Sequence, residues 1–155
     1  MSLGYLNPAR IRAKARCLAT IAGLLLTSCA FFSGEQVSPL IGTWTTPDRN
    51  KVTFQPDAVV LTPDKGSQTT MGKAECNGVY RLAYGRMMTA PLKQAFAAQP
   101  DLESKLKVML VKPEYPVADV TCDQGGTTYL LLDDREVLAI YRDSGIGGIE
   151  HYTRL

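Results

Sequence analysis

Histidine is almost missing from this chain: its 155 residues hold one, His151. A multi-histidine metal site is thereby excluded, and a serine or cysteine nucleophile would have only this imidazole as its base. Net charge is nearly absent as well. Seventeen Lys and Arg against 15 Asp and Glu leave +2, too little to argue for a nucleic-acid partner. The apolar stretch Leu18–Phe32 is shorter than the roughly 20 residues that span a bilayer comfortably. With 45% apolar and 21% charged residues, global disorder and a polytopic membrane protein are both excluded. The length suits one domain.

Acidic residues are missing from the first 28 positions, where Arg10, Arg12, Lys14 and Arg16 precede the apolar run Cys17–Leu26. A basic segment followed by a short apolar one is the layout of a secretory signal peptide. The run ends in Leu26-Thr27-Ser28-Cys29. This tetrapeptide resembles a bacterial lipobox, in which a branched residue and two small ones precede the cysteine that receives a diacylglycerol. Small side chains let a peptidase reach the backbone, and the thiol is the only good nucleophile nearby. Acyl chains hold a protein to the membrane at about 0.8 kcal/mol per buried methylene. The resemblance implies cleavage before Cys29, lipidation there, and a Gram-negative envelope. Because Ala30 and not aspartate follows, it also implies the outer membrane; these residues do not specify the leaflet, and a periplasm-facing domain is the expectation. An uncleaved apolar helix and plain secretion are the alternatives.

Removal of residues 1–28 leaves 127 residues, with 13 basic and 15 acidic side chains and a net charge of −2. The basic character belongs to the signal peptide. Cys17 departs with it and Cys29 is acylated, so Cys76 and Cys122 remain. In an oxidising periplasm these most simply form a disulfide. Closing a loop of that length is worth about 4 kcal/mol in the chain-entropy model. A catalytic or metal-binding thiol pair is the rival, but there is no Cys-x-x-Cys spacing and no nearby histidine.

Residues 29–39 read as a lipidated tether and 40–155 as a single β-rich domain. No internal repeat interrupts it. Gly42–Thr46, Lys51–Gln55 and Ala58–Thr62 are short β-type runs separated by Pro-Asp turn signals. Val79–Tyr84 follows Asn77-Gly78, with Tyr80, Leu82 and Tyr84 on one face. Pro91–Val111 differs: Leu92, Ala95, Phe96, Leu102, Leu106, Met109 and Leu110 fall mostly at helical spacing, and Pro100, Asp101 and Glu103 mark a second helix start. Lys105–Val111 also alternates as a strand would. Ala118–Cys122, Tyr129–Leu132, Val137–Tyr141 and Ile149–Arg154 return to strands, with Asp133–Glu136 as a hairpin turn. The expected fold is mainly β: a small antiparallel barrel or sandwich of about seven to nine strands, with a helical insertion around residues 91–111.

Gly42-Thr43-Trp44, preceded by Leu40-Ile41, resembles the opening of lipocalin-like (calycin) domains. There a Gly-x-Trp starts the first strand and its tryptophan packs under the barrel floor. In lipocalins proper the main helix follows the last barrel strand, whereas here it falls in mid-chain. Cys122-Asp123-Gln124-Gly125 and Ser144-Gly145 resemble elements of periplasmic inhibitors of c-type lysozyme, where a Ser-Gly loop reaches an enzyme's active site.

Signals for catalysis are weak. There is no Gly-x-Ser-x-Gly elbow, and Asp143-Ser144-Gly145 follows Arg142 with no second motif in support. Gly145-Ile146-Gly147-Gly148 lacks the Lys-Ser/Thr of a phosphate loop and reads as a flexible hairpin loop. Asp133, Asp134 and Glu136 lack EF-hand spacing. The expectation is therefore a non-enzymatic protein with no cofactor, no metal and no catalytic residue. Tyr80, Tyr84, Tyr129, Tyr141 and Tyr152 all fall in expected strands, where an apolar ring with a polar tip suits a barrel interior or a recognition face. Trp44, Tyr80, Tyr84, Tyr129 and Tyr141 are the candidate binding residues, with core packing the plainer reading for Trp44 and most of the tyrosines. An apolar small molecule in a barrel interior, or an envelope protein on a sheet edge, would be the partner. The alternative is an inhibitor of an envelope-degrading enzyme such as c-type lysozyme.

Overall fold

The short Pro-Asp-punctuated runs become the first strands of one antiparallel sheet. The computed structural model describes residues 37–95, 99–143 and 146–155. Among them nine strands are found: β1 (Gly42–Thr45), β2 (Lys51–Phe54), β3 (Val59–Thr62), β4 (Thr69–Thr70), β5 (Tyr80–Met88), β6 (Glu114–Cys122), β7 (Gly125–Leu131), β8 (Glu136–Asp143) and β9 (Ile146–Arg154). Helices α1 (Thr89–Ala95) and α2 (Pro100–Met109) join β5 to β6.

The strand order is β4-β3-β2-β1-β9-β8-β7-β6-β5. The chain thus starts in mid-sheet, meanders to one edge, crosses to the other and meanders back. That crossing dictates the curvature. Eight interstrand gaps would separate the edges of a flat sheet by about 38 Å. Ten Cα steps from Thr70 to Tyr80 reach at most about 36 Å when fully extended. They are not extended, because the Cys76 amide donates to the Gly72 carbonyl and the Gly78 amide to the Lys73 carbonyl. The sheet curls into a half-barrel, and the Tyr84 hydroxyl on β5 donates to the Gln55 carbonyl beyond β2 at 2.5 Å.

Curling creates two differently buried faces. Trp44, Val52, Phe54, Val59, Val120, Tyr129, Val137 and Tyr152 fill the concave side. Val117, Leu130, Leu138 and Ile140 face the other way, beneath Leu92, Leu102, Leu106 and Leu110 of the helical segment. Consecutive residues of β7 and β8 therefore alternate between two apolar environments. This explains why Tyr129–Leu132 and Val137–Tyr141 read as unbroken apolar runs.

Trp44 is fully buried, its Nε1 donates to the Leu40 carbonyl at 2.8 Å, and the Arg154 guanidinium lies 4.4 Å from its ring centre. Arg154 also donates to the Pro39 carbonyl at 2.7 Å, which ties the incoming chain to the last strand. Cys76 and Cys122 form a disulfide with a Cα–Cα separation of 4.7 Å, within the ordinary range. It pins the crossing segment to the end of β6.

The helical insertion is present, which rules out its strand alternative, and one expectation is corrected. Lys105–Val111 is not a strand: α2 continues to Met109, burying Leu102 and Leu106 at i and i+4 while Val108 remains 78% exposed. A strand would set Val108 on the same face as Leu106, whereas helical spacing turns Val108 outward while keeping Leu102 and Leu106 together. The reading of Gly145–Gly148 as a loop fails over most of its length. Ile146, Gly147 and Gly148 pair with Asp143, Arg142 and Tyr141, continuing the β8–β9 ladder. A long register already set by apolar pairs overrides the weak strand preference of glycine. Strand lengths differ too, since β5 runs on to Met88 and β6 begins at Glu114.

Candidate functional site

Strand lengths are unequal across the half-barrel, and the site follows from that mismatch. β1, β2 and β3 have four residues each, whereas β8 and β9 have eight and nine. β1 pairs with β9 only at Trp44–Arg154 and Thr45–Thr153. The concave face of β8 and β9 therefore runs on past the short strands. There, Tyr141, Glu150 and Tyr152 face Asn50, Lys51, Leu61, Thr62, Pro63 and Thr69 across a cleft of about 380 Å³.

Glu150 sits at the centre of the β8–β9 wall. Its Oε2 accepts hydrogen bonds from the Tyr141 hydroxyl at 2.5 Å and the Tyr152 hydroxyl at 2.8 Å. The two phenol oxygens are 3.4 Å apart. Glu150 and Tyr152 share a face because they are two positions apart, and register places Ala139 opposite Glu150 with Tyr141 two residues further along β8. Burial, reinforced by the bonds with Tyr141 and Glu150, raises the Tyr152 phenol well above its ordinary value of 10.0. Burial likewise raises Tyr129, with a smaller contribution from the neighbouring Tyr141. Tyr84 is pushed up to about 12, first by burial and then by Tyr80 and Asp57. Desolvation also lifts Tyr80. These phenols are therefore neutral at physiological pH, and that of Tyr152 acts in the cleft as a fixed hydrogen-bond donor to Glu150.

The candidate binding residues separate into different places. Only Tyr141 lines this cleft. Tyr129 lies beneath it, edge-on to Phe54 with ring centres 4.9 Å apart and to Tyr152 at 6.3 Å. Tyr80 and Tyr84 pack against the concave core from β5, and Trp44 is part of that core. Tyr141 also borders a second cleft of about 250 Å³, with Met71, Glu75, Cys76, Val120, Cys122 and Thr127 among its walls. Glu150 was missed as a site residue. Its only sequence signal is its alternation with Tyr152, which says nothing of the partner strand.

His151 points to the opposite face, across from Leu138, and is exposed. Asp133 shapes a turn: its Oδ1 accepts from the amides of Arg135 and Glu136 at 2.8 and 2.9 Å. Among the described residues no group of three His, Cys, Asp or Glu is placed to hold a metal, and no helix is long and apolar enough to cross a membrane. Cys29 lies outside the described residues, as do Ser144 and Gly145.

The fold and cleft define a curled antiparallel half-barrel, mainly β, with a ligand-sized recess at one mouth. The chain matches no family model, no curated protein and no solved structure.

Proposed function

We propose that this chain is a non-enzymatic, periplasm-facing lipoprotein of the outer membrane, anchored through Cys29, whose lipocalin-like half-barrel binds a small molecule. The cleft between β2–β4 and β8–β9 carries the binding reading. Its volume, about 380 Å³, is in the range of roughly 300–1,000 Å³ typical of small-molecule sites. Apolar area from Leu61, Pro63 and the tyrosine rings is combined with a few polar groups aimed inward, as such sites require. The anchor reading rests on Leu26-Thr27-Ser28-Cys29 and is supported by the disulfide, which suits an oxidising compartment. A carrier is favoured over an inhibitor because Ile146–Gly148 pair with β8 as part of β9 and do not stand off the sheet as a protruding loop.

Native mass spectrometry of the protein taken from its own envelope tests the binding reading. A reproducible small-molecule adduct is expected, and Thr69→Trp, which fills the cleft from β4, should remove it. No adduct, together with a co-purifying protein, would overturn the carrier. For the anchor, Cys29→Ala should abolish palmitate labelling and release the protein from membranes. Unchanged labelling would refute lipidation at that position.

A further inference from the structure

Resting on the reading of this cleft as a ligand site, we infer that it selects a cationic head group, a protonated amine carried on an apolar or aromatic body. Glu150 supplies the charge. Each of its two tyrosine neighbours has one phenolic proton, and both are directed at the same oxygen, Oε2. A carboxylate offers about four lone-pair positions, so the other oxygen retains its capacity to accept.

The charge on Glu150 is also left uncompensated. The ion pairs among the described residues are Arg49–Asp64, Arg86–Glu114, Lys107–Glu103 and Arg142–Asp119, none of which includes it. A carboxylate partly withdrawn from water and lacking a counterion draws a cation more strongly than one in bulk solvent. Lys51 is the one basic residue lining this cleft, yet it is exposed and makes no ion pair with Glu150. An exposed charge is screened by salt, whereas a half-buried one is screened much less. The carboxylate therefore dominates the field inside the cleft.

An anionic head group would meet the opposite conditions. It would face Glu150, while the phenolic protons that could have received it already point at Oε2. The rings of Tyr141 and Tyr152 add to the preference, since their π faces attract cations. Leu61 and Pro63 on the facing wall supply apolar surface for the body of the ligand.

Three probes with a common phenylethyl frame test this on the full chain: 2-phenylethylamine, 2-phenylethanol and 3-phenylpropionate, their affinities measured by calorimetry. A charge-assisted bond is worth roughly tenfold to a hundredfold in affinity. The amine is expected to bind at least about tenfold more tightly than the carboxylate, with the alcohol between them. Glu150→Gln, nearly isosteric and checked for folding by circular dichroism, should erase that gap. His151→Gln, on the exposed opposite face of β9, should preserve the preference, which separates loss of the Glu150 charge from a general effect of altering β9. Equal or tighter binding of the carboxylate, or a preference for amine that survives Glu150→Gln, would overturn the inference while leaving the cleft as a binding site. Failure of all three probes to bind would overturn the cleft reading itself, and the charge preference with it.

Discussion

Substituting Gly126 by alanine should destabilise the domain by about 3–5 kcal/mol, and the structure supplies each contribution. Gly126 pairs with Thr121 at the start of the β6–β7 hairpin and has a φ of +144°. Holding an L-residue in such a conformation costs about 1–3 kcal/mol. A Cβ there would overlap the Val120 carbonyl oxygen and lie 3.0 Å from Arg142 Nη2 and 3.1 Å from Thr121 Cα. Two of those neighbours are backbone within a paired strand and cannot withdraw without breaking the ladder. The third is the guanidinium that donates to the Val120 carbonyl at 3.0 Å and pairs with Asp119 at 3.0 Å. Displacing it forfeits bonds to a charged group, typically about 1.5–3 kcal/mol. Two other glycines serve as internal controls. Gly78 has a φ of +92° with no atom within 4 Å of a built Cβ, so alanine there should cost only the backbone strain. Gly85 has an unstrained φ and open space, so its alanine variant should be near neutral. Urea unfolding midpoints at constant m-value give all three differences. Should Gly126→Ala fall within 1 kcal/mol, roughly, of Gly85→Ala, the assigned packing of the β6–β7 turn would be wrong.

The remaining predictions concern the staple, the helical cover and the tyrosines. Cys76 and Cys122 should resist thiol reagents until reduced, and the double serine variant should lose about 4 kcal/mol by urea unfolding, the worth of closing a loop between positions 46 apart; free thiols in the native protein would contradict the bond. Leu106→Ala should cost about 2–5 kcal/mol because Leu106 is fully buried. Val108→Ala, two residues on and 78% exposed, should stay within about 0.5 kcal/mol, and a reversed order in thermal denaturation would reject the placement of α2. Tyrosinate absorbance should rise near pH 10 in the urea-unfolded chain but later in the native protein, since Tyr84 is pushed up to about 12 and Tyr129 and Tyr152 are raised further. The native state then holds more protons than the unfolded one above pH 10, roughly the free-phenol value, so stability should be intact below that pH and fall as it climbs. Coincident native and unfolded titrations would show that these phenols are not desolvated.

Much of the architecture is legible along the chain because the signals are local. Pro-Asp and Asn-Gly turns mark strand ends, Tyr80, Leu82 and Tyr84 share a face through the period of two, and Pro100, Asp101 and Glu103 open α2. Charge and cysteine arithmetic likewise single out Cys76 and Cys122 as the pair left over, and the structure joins them. The lone histidine, whose scarcity limits catalytic schemes, lies on an exposed outer position of β9.

Other features rest on contacts between residues far apart in sequence. Unbroken apolar runs do not reveal which side of β7 and β8 faces the inside of the curl, because both sides are buried. Glycines look like loop until a neighbouring ladder captures them, as β8 does with Ile146–Gly148. The cleft depends on short β1–β3 meeting long β8–β9, and the Tyr141–Glu150–Tyr152 cluster on the register between the last two strands. A shift of one residue would turn Glu150 to the opposite face. Periodicity and turn chemistry act over a few residues, so the chain alone specifies which residues make up the site's strands. Which side chains meet was decided only by tertiary structure, because register and curvature are set by the packing of the whole sheet.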